Sequence, residues 1–224
     1  MSRTEAYRIE PGSEVKLLEI ATRDDGGFTK DEGRKRFAEL SQALKELQEL
    51  MYAQHQHSLL VVFQAMDAGG KDSTIRHVFG PLNPQGCRVW SFKVPSREER
   101  DHDFLWRIHA KAPRRGNIAV FNRSHYEDVG VVRVKKLVPE RRWRRRYEAI
   151  NAFEKQLAEE GTRILKFWLH ISKDYQKSRL QRRLDRLGRR LIFLVLGIGV
   201  VVALSGLVAG KSLFVMIETA LALA

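Results

Sequence analysis

The sequence predicts an α/β domain built on a parallel sheet, followed by a hydrophobic helix. Three observations carry that expectation. Short runs of apolar and β-branched residues alternate with longer stretches of helical periodicity over most of the chain. The first of those runs feeds a glycine turn that ends in lysine and opens a helix. From Leu191 onward, only Lys211 and Glu218 carry charge.

Residues 1–28 hold Pro11, Gly12, Gly26 and Gly27 with little periodicity, and read as an extended lead-in. From Phe28 to Gln54, the positions Phe37, Leu40, Leu44, Leu47 and Leu50/Met51 fall three or four apart, which is one face of a helix. Thr29 with Glu32 predicts a capping box at its start. Ser58 to Gln64 is a short apolar run of the kind found in a fully buried parallel strand. A turn at Asp67–Lys71 and a helix from Asp72 to Phe79 follow, then turn chemistry at Gly80–Gly86. Cys87 to Val94 predicts a second strand. Ser96 opens a helix to His109, with Glu98 and Glu99 in its first turn. Asn117 to Phe121 predicts a third buried strand. Pro139 precedes, and Gly161 ends, a helix over 140–160. Thr162 to Ile171 predicts a fourth strand, and Lys173 to Leu187 another helix.

Charge narrows the function. The chain has 40 Lys+Arg against 27 Asp+Glu, a net charge of +13. All of that excess lies before Leu191. Such a balance implies an anionic partner: nucleic acid, a phosphate-rich ligand or an acidic membrane surface. One cysteine excludes an intramolecular disulfide framework and an all-cysteine zinc site. Cys87 reads as a small buried hydrophobe. The seven histidines show no zinc-type pairing, and His55 and His57 at i,i+2 do not share a helix face. The N-terminus has no apolar core of signal-peptide type.

The sharpest motif is Ala65-Met66-Asp67-Ala68-Gly69-Gly70-Lys71-Asp72-Ser73. Strand, glycine turn, lysine and helix is the layout of a phosphate loop. Glycines let the backbone fold close around a phosphate, successive N–H groups point inward, and the helix N-terminus adds positive potential. Lys71 supplies a full charge. The match to the P-loop pattern is incomplete: Ala65 stands at the first glycine position and Asp72 at the metal-binding hydroxyl position. Asp67 would repel phosphate in a passive nest, and makes sense if it holds Mg²⁺ or orients an attacking oxygen. The third strand ends in Asn122-Arg123-Ser124-His125-Tyr126-Glu127-Asp128. Ligands of open parallel sheets bind beyond the carboxyl ends of the strands, so Asn122, Arg123, Glu127 and Asp128 are expected at the same crevice. The alternative for the acidic pair is an ordinary helix start. Arg133, Lys135, Lys136 and Arg141 to Arg146 offer a basic channel, or simply a solvated face.

Several blocks together resemble the polyphosphate kinase 2 family: FQAMDAGGKDSTIRHVFGPLNPQG (63–86), SFKVPSREERDHDFLWRIH (91–109), FNRSHYEDVGVVRV (121–134) and the stretch from TRILKFWLHIS to LQRRLDR (162–186). The resemblance implies a P-loop kinase-like three-layer α/β/α fold. It also implies Mg²⁺-dependent phosphoryl transfer between inorganic polyphosphate and nucleotides. The NRSHYED wording is most similar to the subgroup that phosphorylates AMP and ADP. By the same resemblance, Asp67, Lys71 and Arg123 carry catalysis. Ala68, Gly69, Gly70, Lys71, Asp72 and Ser73 cradle phosphate. Asn122, Arg123 and Arg133 meet nucleotide or polyphosphate, and Asp67, Glu127 and Asp128 stand on the metal side. Oligomerisation is a family trait carried as an expectation.

After Arg186 the wording departs from the family, where a basic and aromatic lid is expected. The domain is therefore expected over 29–187, with a hydrophobic tail over 188–224. Residues 191–210 form an uncharged run of 20, a length that crosses a bilayer core of roughly 30 Å. The first reading is a membrane helix that tethers a cytoplasmic body, oriented by Arg179, Arg182, Arg183, Arg186, Arg189 and Arg190. The second is a tail foreign to the domain, from a truncated or fused reading frame. The third is core packing in place of the lid. A chain without the lid is expected to turn over slowly. Two other functions stay open: a membrane-tethered phosphate-binding module without catalysis, and a basic nucleic-acid-binding protein. No recognised nucleic-acid motif is present, so no nucleic-acid partner is expected.

Overall fold

The computed structural model describes residues 4–208. The chain divides into two compact units, Met1–Ile171 and Ser172–Ala224.

The first unit begins with an exposed lead-in that carries two single 3-10 turns, Glu5–Tyr7 and Leu17–Glu19. Helix α1 (Lys30–Gln54) starts at the expected capping box: the Thr29 hydroxyl accepts from the Glu32 N–H, and the Glu32 carboxylate accepts from the Thr29 N–H at 2.9 Å. Strand β1 (Ser58–Ala65) leads to α2 (Lys71–Phe79) and β2 (Cys87–Ser91). The helix expected over 96–109 is two short ones, α3 (Arg97–Asp101) and α4 (Trp106–His109). Between them His102 is extended, and the Asp103 carboxylate accepts from the Leu105 N–H at 2.8 Å, an aspartate turn that competes with the helix. Strand β3 (Ile118–Asn122), α5 (Glu127–Val134), α6 (Glu140–Glu159) and β4 (Thr162–Leu169) complete the unit. Helix α5 starts at Glu127 and Asp128, as the alternative reading of that acidic pair had it. Strand β2 ends at Ser91 rather than Val94, and β4 at Leu169 rather than Ile171.

The sheet has the order β2-β3-β1-β4, and every neighbouring pair is parallel. Leu59 pairs with Ile118 and Ser58 with Thr162. Alternation sends side chains to two cores. Leu60, Val62, Ala119 and Phe121 pack with Ile108 and Phe153 on one face. Val61, Phe63, Ile118 and Val120 pack with Ile75 and Phe79 on the other, where Leu44 and Met51 of α1 also sit. Helices thus cover both faces of the sheet, as the expected three-layer arrangement requires. The expectation of full burial holds for β3 from Ile118 to Phe121 and for β1 from Leu60 to Phe63, while Leu59, Gln64 and Asn117 are half-buried. Strand β4 is an edge among the described strands, and Leu165, Phe167 and Trp168 on it are all exposed.

The second unit carries α7 (Lys173–Val208). The sequence suggested a helix ending near Leu187 and a separate apolar one from residue 191. One helix instead runs through Gly188, because an interior glycine costs only about 1 kcal/mol relative to alanine and no proline intervenes. Among the described residues, no helix is long and apolar enough to cross a membrane. The membrane helix expected over 191–210 therefore finds no support among the described residues. Ala209, Gly210 and the residues after them lie outside the described part.

Candidate functional site

Two loops meet beyond the carboxyl ends of β1 and β3. The first joins β1 to α2. Its backbone is tight: Ala68 and Gly70 both adopt left-handed conformations, at φ 59° and 98°. Glycine is required at position 69, where a Cβ would lie 2.5 Å from that of Ala65 and 2.7 Å from the Met66 carbonyl oxygen. The Gly69 N–H donates to that same carbonyl at 2.9 Å. Lys71 opens α2 and is only 8% exposed. Its ammonium donates to the Ala65 carbonyl at 3.0 Å, across the base of the loop. Burial, and the positive charge of Arg123, push the Lys71 pKa down, while Glu127, Asp67 and Asp72 pull it back up. The Ser73 hydroxyl turns inward to the Gly70 carbonyl, at 2.8 Å.

The second loop follows β3. Arg123 takes a left-handed φ of 65°, uncommon for a non-glycine residue. Its N–H donates to the Phe63 carbonyl at 3.1 Å, which ties the loop to the end of β1. The side chains reach across to the first loop. Arg123 Nη2 donates to Asp67 Oδ1 at 3.0 Å, and Asn122 Nδ2 to Asp72 Oδ1 at 2.6 Å. These two bonds join residues 50 and 56 positions apart in the sequence.

Glu127 belongs to the same group, coupled electrostatically to Arg123, Lys71 and Asp67. Burial raises its pKa, and the neighbouring cations only partly offset this. Gln64, at the end of β1, bridges to it. In the amide orientation that satisfies both neighbours, Gln64 donates to Glu127 Oε1 at 3.0 Å and accepts from the Ser124 hydroxyl at 3.0 Å.

Asp128 stands elsewhere. Its carboxylate pairs with Arg107 and Arg146 at 3.6 and 3.5 Å, and all three side chains are buried or nearly so. Arg146 also donates to the Asp128 carbonyl, at 2.8 Å. Arg133 is apart too, on the exposed end of α5, with its guanidinium 5.2 Å from the Trp143 ring centre. Cys87 is a half-buried thiol whose pKa burial pushes up to about 11, so it stays protonated at neutral pH.

The structure therefore gathers Asp67, Ala68, Gly69, Gly70, Lys71, Asp72, Asn122, Arg123 and Glu127, and leaves Asp128 and Arg133 outside the group. Sequence reasoning missed Gln64 and Arg107, and read Arg146 only as one of a basic run. Only Gln64 had a local signal, as the polar residue closing a buried apolar strand.

The chemistry of this arrangement is electrostatic. Among the described residues, no group of three or more His, Cys, Asp or Glu side chains is placed to hold a metal ion by itself. One or two carboxylates do suffice for Mg²⁺ when substrate phosphates complete its shell. Glu127 fits such a role, because its buried carboxylate is not fully neutralised by its neighbours.

Comparison with known proteins bears on this site. The family model described as polyphosphate kinase 2 matches residues 27–193, a little beyond the Arg186 limit read from the sequence. The chain is 53% identical over 189 residues to an AMP/ADP-polyphosphate phosphotransferase of Meiothermus ruber, covering 84% of this chain and 71% of that one. It is 44% identical over 199 residues to an ADP-polyphosphate phosphotransferase of Rhodopseudomonas palustris, covering 82% and 68%. The crystal structure of polyphosphate kinase 2 from Arthrobacter aurescens TC1 superposes with a TM-score of 0.78 at 42% identity, over 83% of this chain and 67% of that one.

Proposed function

The chain belongs to the polyphosphate kinase 2 family, and on that footing we propose that it transfers a phosphoryl group between inorganic polyphosphate and AMP or ADP. The observation that carries the reading is the cross-link between the two loops, Arg123 to Asp67 and Asn122 to Asp72. It brings one buried lysine, one arginine and two carboxylates to the end of a parallel sheet where phosphates bind.

Phosphoryl transfer asks for alignment and charge neutralisation more than covalent chemistry. In this proposal Lys71 and the N–H groups of Ala68 to Ser73 hold the phosphate next to the transferred group. Arg123 bridges the transferred phosphoryl, held at its correct angle by Asp67. Asn122 fixes Asp72 and with it the start of α2. Glu127 and Asp67 would hold a divalent cation, for which Mg²⁺ is the proposed ion, with phosphate oxygens as its remaining ligands. A cation there supplies neutralisation of the charge that builds on the phosphate oxygens. Asp128 is not part of this set, and Arg133 contributes at most long-range attraction for a polyanion.

The adenine nucleotide partners favour a cytoplasmic setting for the body.

The test is formation of ADP or ATP from AMP or ADP with polyphosphate and Mg²⁺. Lys71→Ala should lower the rate about a hundredfold or more, the scale of removing one electrostatic stabiliser. Asp67→Asn should lower it by a similar amount. Transfer that is unaffected by Lys71→Ala overturns the assignment.

A further inference from the structure

We propose that Glu154, on α6, is a positioning residue that holds the Arg123 loop in its productive shape through His125 and Tyr126. The proposal rests on the phosphotransferase reading of the site and adds a residue to which that reading gives no role.

The argument starts from how the loop is pinned. Arg123 and Glu127 face the phosphate loop, and the residues between them face the protein. Ser124 and His125 are both fully buried. His125 Nε2 donates to Glu154 Oε1 at 3.2 Å. The Tyr126 hydroxyl donates to the same oxygen at 2.6 Å. Lys166 of β4 donates to Glu154 Oε2 at 2.8 Å and to the Tyr126 oxygen at 3.1 Å. One carboxylate, itself 12% exposed, thus gathers three donors from two elements. The rings close the rest of the space: His125 lies 4.6 Å from the Tyr126 centroid and 5.4 Å from that of Phe153.

His125 Nδ1 has no hydrogen-bond partner among the described residues, so Glu154 is the one polar anchor of a buried imidazole. Deleting that anchor leaves both ring nitrogens unsatisfied, a state that buried polar groups avoid by moving. The loop cannot move without altering Arg123. Its left-handed backbone at φ 65° is strained, and such a conformation persists only where its surroundings over-determine it. The hydrogen bonds of Glu154 go to His125, Tyr126 and Lys166, so its effect reaches the site through the loop.

The full chain, solubilised in detergent, is compared as wild type, Glu154→Leu, Arg123→Lys and the double variant. Binding of inorganic tripolyphosphate with Mg²⁺ is read by calorimetry. The Arg123 side-chain Nε–H resonance, assigned from its loss in Arg123→Lys, is read by NMR. Leucine removes the acceptor, so in Glu154→Leu the resonance should broaden or shift to that of a free guanidinium. Affinity should fall about tenfold in each single variant, a step of about 1.4 kcal/mol, and no further in the double variant. An unchanged Arg123 resonance in Glu154→Leu, or losses that multiply in the double variant, overturns the proposal. Should Glu154→Leu fail to fold, Tyr126→Phe carries the same two readouts. If wild type does not bind tripolyphosphate, the phosphotransferase reading fails, while the resonance still decides the positioning role.

Discussion

Asp67 and Asp128 have similar sequence credentials and opposite physical situations. The Asp67 side chain is 80% exposed and pairs with a half-exposed arginine. Asp128 is 13% exposed and lies between two arginines at 7% and 13%. Removing an exposed charge changes little, whereas removing one partner of a buried pair leaves the other uncompensated. Urea unfolding should therefore show Asp128→Ala destabilised by about 3–5 kcal/mol. Asp67→Asn should stay within about 1 kcal/mol of wild type while losing activity. The reverse ranking would return Asp128 to the site. The sequence could not separate these two acids, because Arg107 and Arg146 lie 21 and 18 residues from Asp128 and only the fold brings them to it.

At the scale of elements, α1 shows what local pattern reveals. Thr29 and Glu32 announce its start; of its apolar face Leu44 and Met51 pack half-buried on the sheet, while Phe37, Leu40, Leu47 and Leu50 stay exposed. Thr29→Ala should cost about 1 kcal/mol, seen as a fall of a few degrees in thermal midpoint, because the Glu32 N–H loses its acceptor and the Glu32 carboxylate loses the hydroxyl donor. No change in midpoint would mean that the start of α1 frays without consequence. The unit β1–turn–α2 was legible for the same reason, since strand, glycines and lysine are contiguous. The break between α3 and α4 was not. Asp103 competes for the backbone through a side-chain bond that periodicity does not register. Nor was the continuity of α7, where a glycine reads as a stop although the helix passes through it. The anchors of the second loop come from α6 and β4, and no spacing rule links Glu154 or Lys166 to Arg123.

For the whole molecule, the sheet is well covered at its centre and open along β4. That strand presents an unpaired edge among the described strands, with Leu165, Phe167 and Trp168 at 48%, 45% and 51% exposure. Apolar edges of this kind recruit other chains. Sedimentation should show association that rises with protein concentration and weakens in Trp168→Lys. Equal association in that variant would move the cause away from β4.

The strand order also bears on how the protein comes into being. Strand β1 is the first to be made, yet it lies between β3 and β4 and touches β2 nowhere in the ladder. As the chain leaves the ribosome, Leu59 to Phe63 have no backbone partner until Ile118 to Asn122 have emerged. At usual rates of synthesis, that leaves the most apolar strand waiting on the order of several seconds. During that interval Leu60, Val61, Val62 and Phe63 are what a chaperone would find to hold.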